Sequence, residues 1–122
     1  MIRIMQEKSS NFVKVFFADK DKILHQVRQY SKKLKKNHPE VEKVGLFGSY
    51  STDEYGPASD VDPIIILQSS SKRFVDRIPD FLPDDIDVSC DCFPYTTDEI
   101  NKMKDEGNPW ILHILEEAIW FE

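Results

Sequence analysis

The sequence predicts an α/β domain of the α+β kind, a small mixed β-sheet with helices packed against it. Apolar stripes at helical spacing, one early and one late, bracket three runs with strand patterning, which is the order expected of one sheet carrying helices. The length, 122 residues, suffices to bury one real core and not two. Residues 1–122 therefore read as a single domain, with residues 1–18 as an N-terminal extension. Its "NFVKVFF" is β-rich, but no periodic pattern assigns it a structure.

The first helix is expected from about Asp19 to Asn37, where Ile23, Val27, Tyr30 and Leu34 fall on one stripe. Lys32, Lys33, Lys35 and Lys36 crowd its last turns, where positive charge suits the helix dipole. "HPE" stops it, because the residue before a proline disfavours the helical region. "VEKVGLF" follows as a strand, and "GSY" closes it with a glycine turn that opens onto a helical turn. After a polar loop containing Gly56 and Pro57, "SDVDPIIIL" reads as a second strand covered on both faces, since its end is continuously apolar. Pro63 within it lacks an N–H, which points to an edge position or a bulge.

"DDIDVSCDCF" alternates strictly, with Ile86, Val88, Cys90 and Cys92 on one face and Asp87, Ser89 and Asp91 on the other. It reads as a third strand with an acidic side. Cys90 and Cys92, the only cysteines, offer neither a disulfide framework nor a zinc set and are expected as reduced, buried thiols. Thr96 and Glu99 have capping-box spacing for a helix that ends at Gly107. Asn108 as N-cap and Pro109 at the first helical position start another, with Ile111, Ile114, Leu115 and Ala118 as its apolar stripe. His113 reads as packing or surface, and "IWFE" as a terminal strand. The expected order is α-β-α-β-β-α with that closing strand.

The net charge of −6 is unevenly placed: residues 1–38 carry ten Lys/Arg against three Asp/Glu, and residues 39–122 carry six against nineteen. An acidic chain repels phosphate backbones, so nucleic acid is not the expected partner. The charged N-terminus does not read as a signal peptide, and no apolar run approaches membrane-spanning length. A soluble, cytoplasmic protein without membrane contact is expected.

The chemistry concentrates in "GSYSTDEYGPASDVD". Asp60 and Asp62, two apart on a strand, leave the same face roughly 6.6 Å apart. Adjacent carboxylates repel unless a cation lies between them, and Mg²⁺ suits a couple of carboxylates together with substrate phosphates and waters. A third carboxylate from the next strand would allow two ions, and Asp91 is offered by its acidic face. Asp87, on that face by the same alternation, is the alternative. Gly48 and Ser49, where a strand turns into a helix N-terminus, would present N–H groups and a hydroxyl to an anion.

The pattern Gly-Ser, ten residues, Asp-X-Asp in "GLFGSYSTDEYGPASDVD" resembles the minimal nucleotidyltransferases of the polymerase-β superfamily, the antitoxin type included. "VSCDCFPYTTDEI" is similar to the family's third-aspartate strand and following helix start, and "EGNPWILHILEEAIWFE" to its C-terminal helix and closing strand. The likeness covers most of the chain from about residue 20 onward. It implies the polymerase-β-like nucleotidyltransferase fold, nucleotide phosphates bound by Gly48 and Ser49, and Mg²⁺, two ions, bound by Asp60, Asp62 and Asp91. Asp91 is preferred to Asp87 because it stands four residues before Tyr95, as the family's aspartate does.

The implied reaction is attack of a hydroxyl on the α-phosphorus of a nucleoside triphosphate, ATP by resemblance, with release of pyrophosphate. The acceptor implied is a tyrosine of a helical partner of the HEPN class, silenced by added AMP in a toxin–antitoxin pair, in a hetero-oligomer. Trp110, Trp120 and Phe121 are candidate anchors for that partner, although aromatic residues at helical spacing more often pack in a core. The chain departs from the family's pattern at Thr52 and Asp53, where an Arg-Gly pair is usual, and at Pro63, where leucine is usual. Those departures keep a second reading open, a weakened member that acts as a binding partner of such a protein. A third is an α/β domain with merely solvated acidic edges, against which stands the poor strand preference of acidic residues.

Overall fold

The computed structural model describes residues 20–48 and 61–121. The N-terminal extension lies outside the described residues. So do Ser49, Asp60 and the loop between them, with Thr52, Asp53 and the helical turn expected after Gly48.

Helix α1 spans Lys20–Asn37, and Ile23, Val27, Tyr30 and Leu34 are its buried stripe together with Ser31. Strand β1 (Val41–Phe47) follows after "HPE" and pairs antiparallel with β2 (Asp62–Leu67), with Phe47 opposite Asp62 and Gly45 opposite Ile64. Strand β3 (Phe93–Thr96) lies parallel to β2 on its other side. The short β4 (Ile119–Phe121) returns antiparallel to the far edge of β1, giving the order β3-β2-β1-β4.

Both faces of this sheet are covered, which accounts for the unbroken apolar run of β2. On one face Ile23, Val27, Tyr30 and Leu34 of α1 pack with Val44, Leu46, Val61, Ile65 and Leu67. The opposite face buries Ile64 and Ile66 under two later helices, α3 (Thr97–Asp105) and α4 (Pro109–Glu117), through Ile100, Ile111 and Ile114. Each such isoleucine contributes roughly 1.5–3 kcal/mol on burial. Gly45 is required where Trp120 crosses β1: a Cβ there would lie 2.7 Å from the indole.

The helix caps are those the sequence names. The Thr96 hydroxyl accepts from the Glu99 N–H while Glu99 accepts from the Thr96 N–H, closing the capping box, and Gly107 turns the chain with φ +70°. Asn108 Oδ1 accepts from the N–H groups of Trp110 and Ile111, and Pro109 occupies the first helical position.

A further helix, α2 (Phe74–Phe81), carries no mark in the pattern reading: Arg73 precedes it without a side-chain cap, and Pro79 stands inside it. Its Arg77 is only 4% exposed. That guanidinium donates to the Lys72 and Pro94 carbonyls and grips both oxygens of Glu99 at 2.7 and 3.0 Å, tying α2 to β3 and α3. Tyr30 links α1 to α2 by donating its hydroxyl proton to the Phe81 carbonyl, and burial raises the hydroxyl's pKa well above its ordinary value.

Two expectations are corrected. Pro63 is neither at an edge nor at a bulge, because β2 lies between β1 and β3 and the register across Pro63 is regular. The expected strand over "DDIDVSCDCF" is also not continuous: among the described residues only Cys90 bridges, to Val61, before the ladder resumes at Phe93. The gap between Cys90 and Phe93 has a local cause. Val61 donates to the Ser89 carbonyl and accepts from the Asp91 N–H, so Pro63, two residues on, turns its backbone the same way. The N–H that proline lacks is the one due to meet the Asp91 carbonyl, and the ladder is interrupted there.

Candidate active site

The fold brings three of the residues singled out by sequence to one end of one sheet face. Gly48 ends β1 with φ +87°, a backbone conformation that favours glycine, and a Cβ built on it would lie 3.3 Å from Oδ2 of Asp62. Asp62, half-buried, opens β2 directly beyond Phe47. Asp91 is exposed, and its N–H is held by the Val61 carbonyl at 3.1 Å. The Val61–Cys90 bridge and the Ile64–Phe93 pair share one register, so Asp62 and Asp91, between them, hold matching positions on neighbouring parallel strands. Their side chains leave the face that carries Ile64, opposite to α1. Ser49 and Asp60, the remaining members of the expected set, lie outside the described residues.

Asp87 is not with them. Its Oδ2 lies 2.9 Å from Lys22 Nζ and accepts from Gln26 Nε2 at 3.1 Å, while its own N–H donates to Gln26 Oε1. The hydrogen bond from Lys22, then that from Gln26, holds this carboxyl below its usual pKa. Strict alternation had placed Asp87 with Asp91; without a ladder through residues 85–89 the chain bends, and α1 takes the side chain instead.

Cys90 and Cys92 are not joined in a disulfide; Cys92 is buried and Cys90 half-buried. Burial, and after it the charge of Asp91, pushes the Cys92 thiol up to about 12, which keeps it protonated and unreactive. The lysine cluster of α1 has structural work: Lys33 pairs with Asp85 at 3.3 Å and Lys35 donates to the Phe121 carbonyl at 3.1 Å.

The side-chain donors gathered here are carboxylate oxygens, the class that Mg²⁺ takes. Among the described residues no group of three His, Cys, Asp or Glu side chains could hold a metal ion, and one of the three expected carboxylates, Asp60, lies beyond them.

Beside the carboxylates stands a feature the sequence left among partner anchors and core packing. Trp110, 40% exposed, sets its ring against Phe47, Phe93 and Tyr95 at 5.8, 5.6 and 6.0 Å between centroids. Trp120 and Phe121, by contrast, pack within the fold: Phe121 is buried, and Lys43 lies over the half-buried Trp120 ring.

A glycine turn thus lies beside carboxylates at the ends of adjacent strands, in a sheet covered by helices on both faces. The family model described as a nucleotidyltransferase domain matches residues 27–119, and the chain belongs to that family, whose chemistry is nucleotidyl transfer. The fold is similar to the 1.40 Å crystal structure of a candidate nucleotidyltransferase from Sulfolobus solfataricus, with a TM-score of 0.59 and 17% sequence identity. The likeness covers 85% of this chain and 83% of that one. No curated protein matches the chain. Among the described residues no helix is long and apolar enough to cross a membrane.

Proposed function

We propose that the protein is a Mg²⁺-dependent nucleotidyltransferase that moves AMP from ATP to a hydroxyl, a tyrosine of a HEPN-type helical partner, as the antitoxin of a toxin–antitoxin pair. The observation that carries the catalytic part is the placing of Asp62 and Asp91 at matching positions on one sheet face, beside the turn at Gly48. The tyrosine acceptor, the partner and the antitoxin role rest on the family resemblance of the motifs.

Asp60, Asp62 and Asp91 would hold the metal, and Gly48 and Ser49 the phosphates. Bound there, Mg²⁺ would offset the triphosphate's charge and make the acceptor hydroxyl more acidic. In the reaction the acceptor oxygen bonds to the α-phosphorus, the bond from that phosphorus to the β-bridging oxygen breaks, and pyrophosphate leaves. Asp91, exposed at the site, takes the hydroxyl proton. The chain's share of the work is position: it holds the reactants in line and sets fixed charges around them.

A second reading, a weakened member that silences its partner by binding alone, is favoured by Thr52 and Asp53, where the family's usual Arg-Gly pair would supply a cation and a flexible glycine. One experiment separates them. The protein, labelled ATP, Mg²⁺ and a HEPN-type helical protein are incubated, and mass spectrometry follows an added nucleoside monophosphate on that protein. Transfer that disappears with Asp62→Asn and Asp91→Asn but survives Asp87→Asn is expected. An unmodified partner in a stable complex would instead establish the binding module.

A further inference from the structure

We propose that the aromatic cluster headed by Trp110 is the stacking wall for the nucleobase, and that it gives the site a preference for purines. The inference rests on the nucleotidyltransferase reading and names the part of the substrate which that reading leaves unplaced.

The cluster adjoins the carboxylates through the sheet register. Phe47 pairs with Asp62 across β1 and β2, and Phe93 stands two residues beyond Asp91 on the same face. The two phenyl rings touch each other at 5.5 Å, and Trp110 touches both. The wall therefore begins within roughly one two-residue strand repeat, about 7 Å, of the carboxylates. The base of a nucleotide lies one sugar beyond its α-phosphate, and the wall begins at Phe47, the residue before the Gly48 turn that would hold the phosphates.

Core packing alone does not account for Trp110. Ile111 and Ile114 of its helix are closed off at 0% and 1% exposure, and Leu112, on the outer side, is open at 44%, whereas Trp110 keeps 40% of its surface in water while its ring rests on three others. Its backbone is fixed by the Asn108 cap, whose Oδ1 accepts from the Trp110 N–H at 2.9 Å. Phe47 meets the indole nearly edge-on at 89°, with Phe93 and Tyr95 at 62° and 65°. An indole braced by three rings and still open to solvent is pre-organised, so stacking on it orders little that was free. Aromatic stacking accepts any base but grows with ring area, and purines have the larger rings.

The test is calorimetric titration of the full chain with MgATP and with Mg²⁺–tripolyphosphate, which has no base. Trp110→Leu, which keeps an apolar side chain, is expected to weaken MgATP by about tenfold or more while leaving tripolyphosphate unchanged. Trp110→Phe is expected to restore most of the loss. In the wild type MgGTP is expected to bind like MgATP and MgCTP several-fold more weakly. Unchanged MgATP affinity in Trp110→Leu would overturn the stacking wall and leave the nucleotidyltransferase reading standing. Equal weakening of both ligands would mark Trp110 as a structural residue and overturn the proposal too. Failure of the wild type to bind either ligand would overturn the proposal and the reading beneath it together.

Discussion

Gly48 and Gly107 both have positive φ, +87° and +70°, yet an added Cβ meets Asp62 Oδ2 at 3.3 Å in the first case and open space in the second. Alanine at either position must accept a left-handed backbone, at a cost of roughly 1–2 kcal/mol. Only at Gly48 does the methyl also press on a carboxylate of the candidate site. Gly48→Ala and Gly107→Ala are therefore expected to lose similar stability in urea unfolding, while nucleotidyl transfer falls sharply in the first alone. At this scale the motif spacing points to Gly48 and Asp62 and the family resemblance to Asp91, and the fold sets those three at one end of one sheet face. Pattern reading failed at Asp87, where alternation assumes a strand; Gln26, distant in sequence, clasps both the backbone and the side chain of that residue.

Among the elements, α3 was legible from Thr96 and Glu99, and α4 from Asn108 and Pro109, because capping is a local exchange of hydrogen bonds. The second partner of Glu99 was not legible. Arg77 reaches it from α2, a helix without a side-chain cap and with a proline inside, and nothing local distinguishes a buried arginine from a solvated one. Arg77→Ala removes the guanidinium from Glu99 and from the Lys72 and Pro94 carbonyls. Loss of a buried pair costs about 3–5 kcal/mol, and the solvent access of Glu99 brings the expectation down to about 2–3 kcal/mol. The Arg77 hydrogen bond first, helped by the Thr96 backbone, holds the Glu99 carboxyl below its ordinary pKa. A carboxyl lowered by folding stabilises above its unfolded pKa, and that stability is lost as pH falls through the unfolded value to the lowered folded one. Urea midpoints followed from about pH 6 to pH 3 should decline, and Arg77→Ala should decline less steeply.

Across the whole molecule, the division into one sheet with helices on both faces follows from where apolar residues alternate and where they run on. β2 had to be covered twice, and α1 on one face with α3 and α4 on the other do so. What the pattern could not supply was the strand order, since nothing local to Pro63 says that β3 rather than solvent lies beside it. That placement makes stability uneven. The core of the sheet is cross-linked on both sides, whereas among the described residues the segment 84–92 is bridged to the sheet only at Val61, just before β2. Side chains rather than a ladder hold it, Asp87 on α1 and Cys92 in the core, and a segment with few backbone bonds is expected to open locally at less cost than the sheet. In native-state hydrogen exchange the Asp91 amide should therefore exchange faster than those of Ile65 and Tyr95 and respond little to low denaturant; protection equal to the core's would overturn this. The proline that interrupts the ladder thus leaves an acidic side chain of the candidate site on a tether whose opening energy can be tuned separately from the fold.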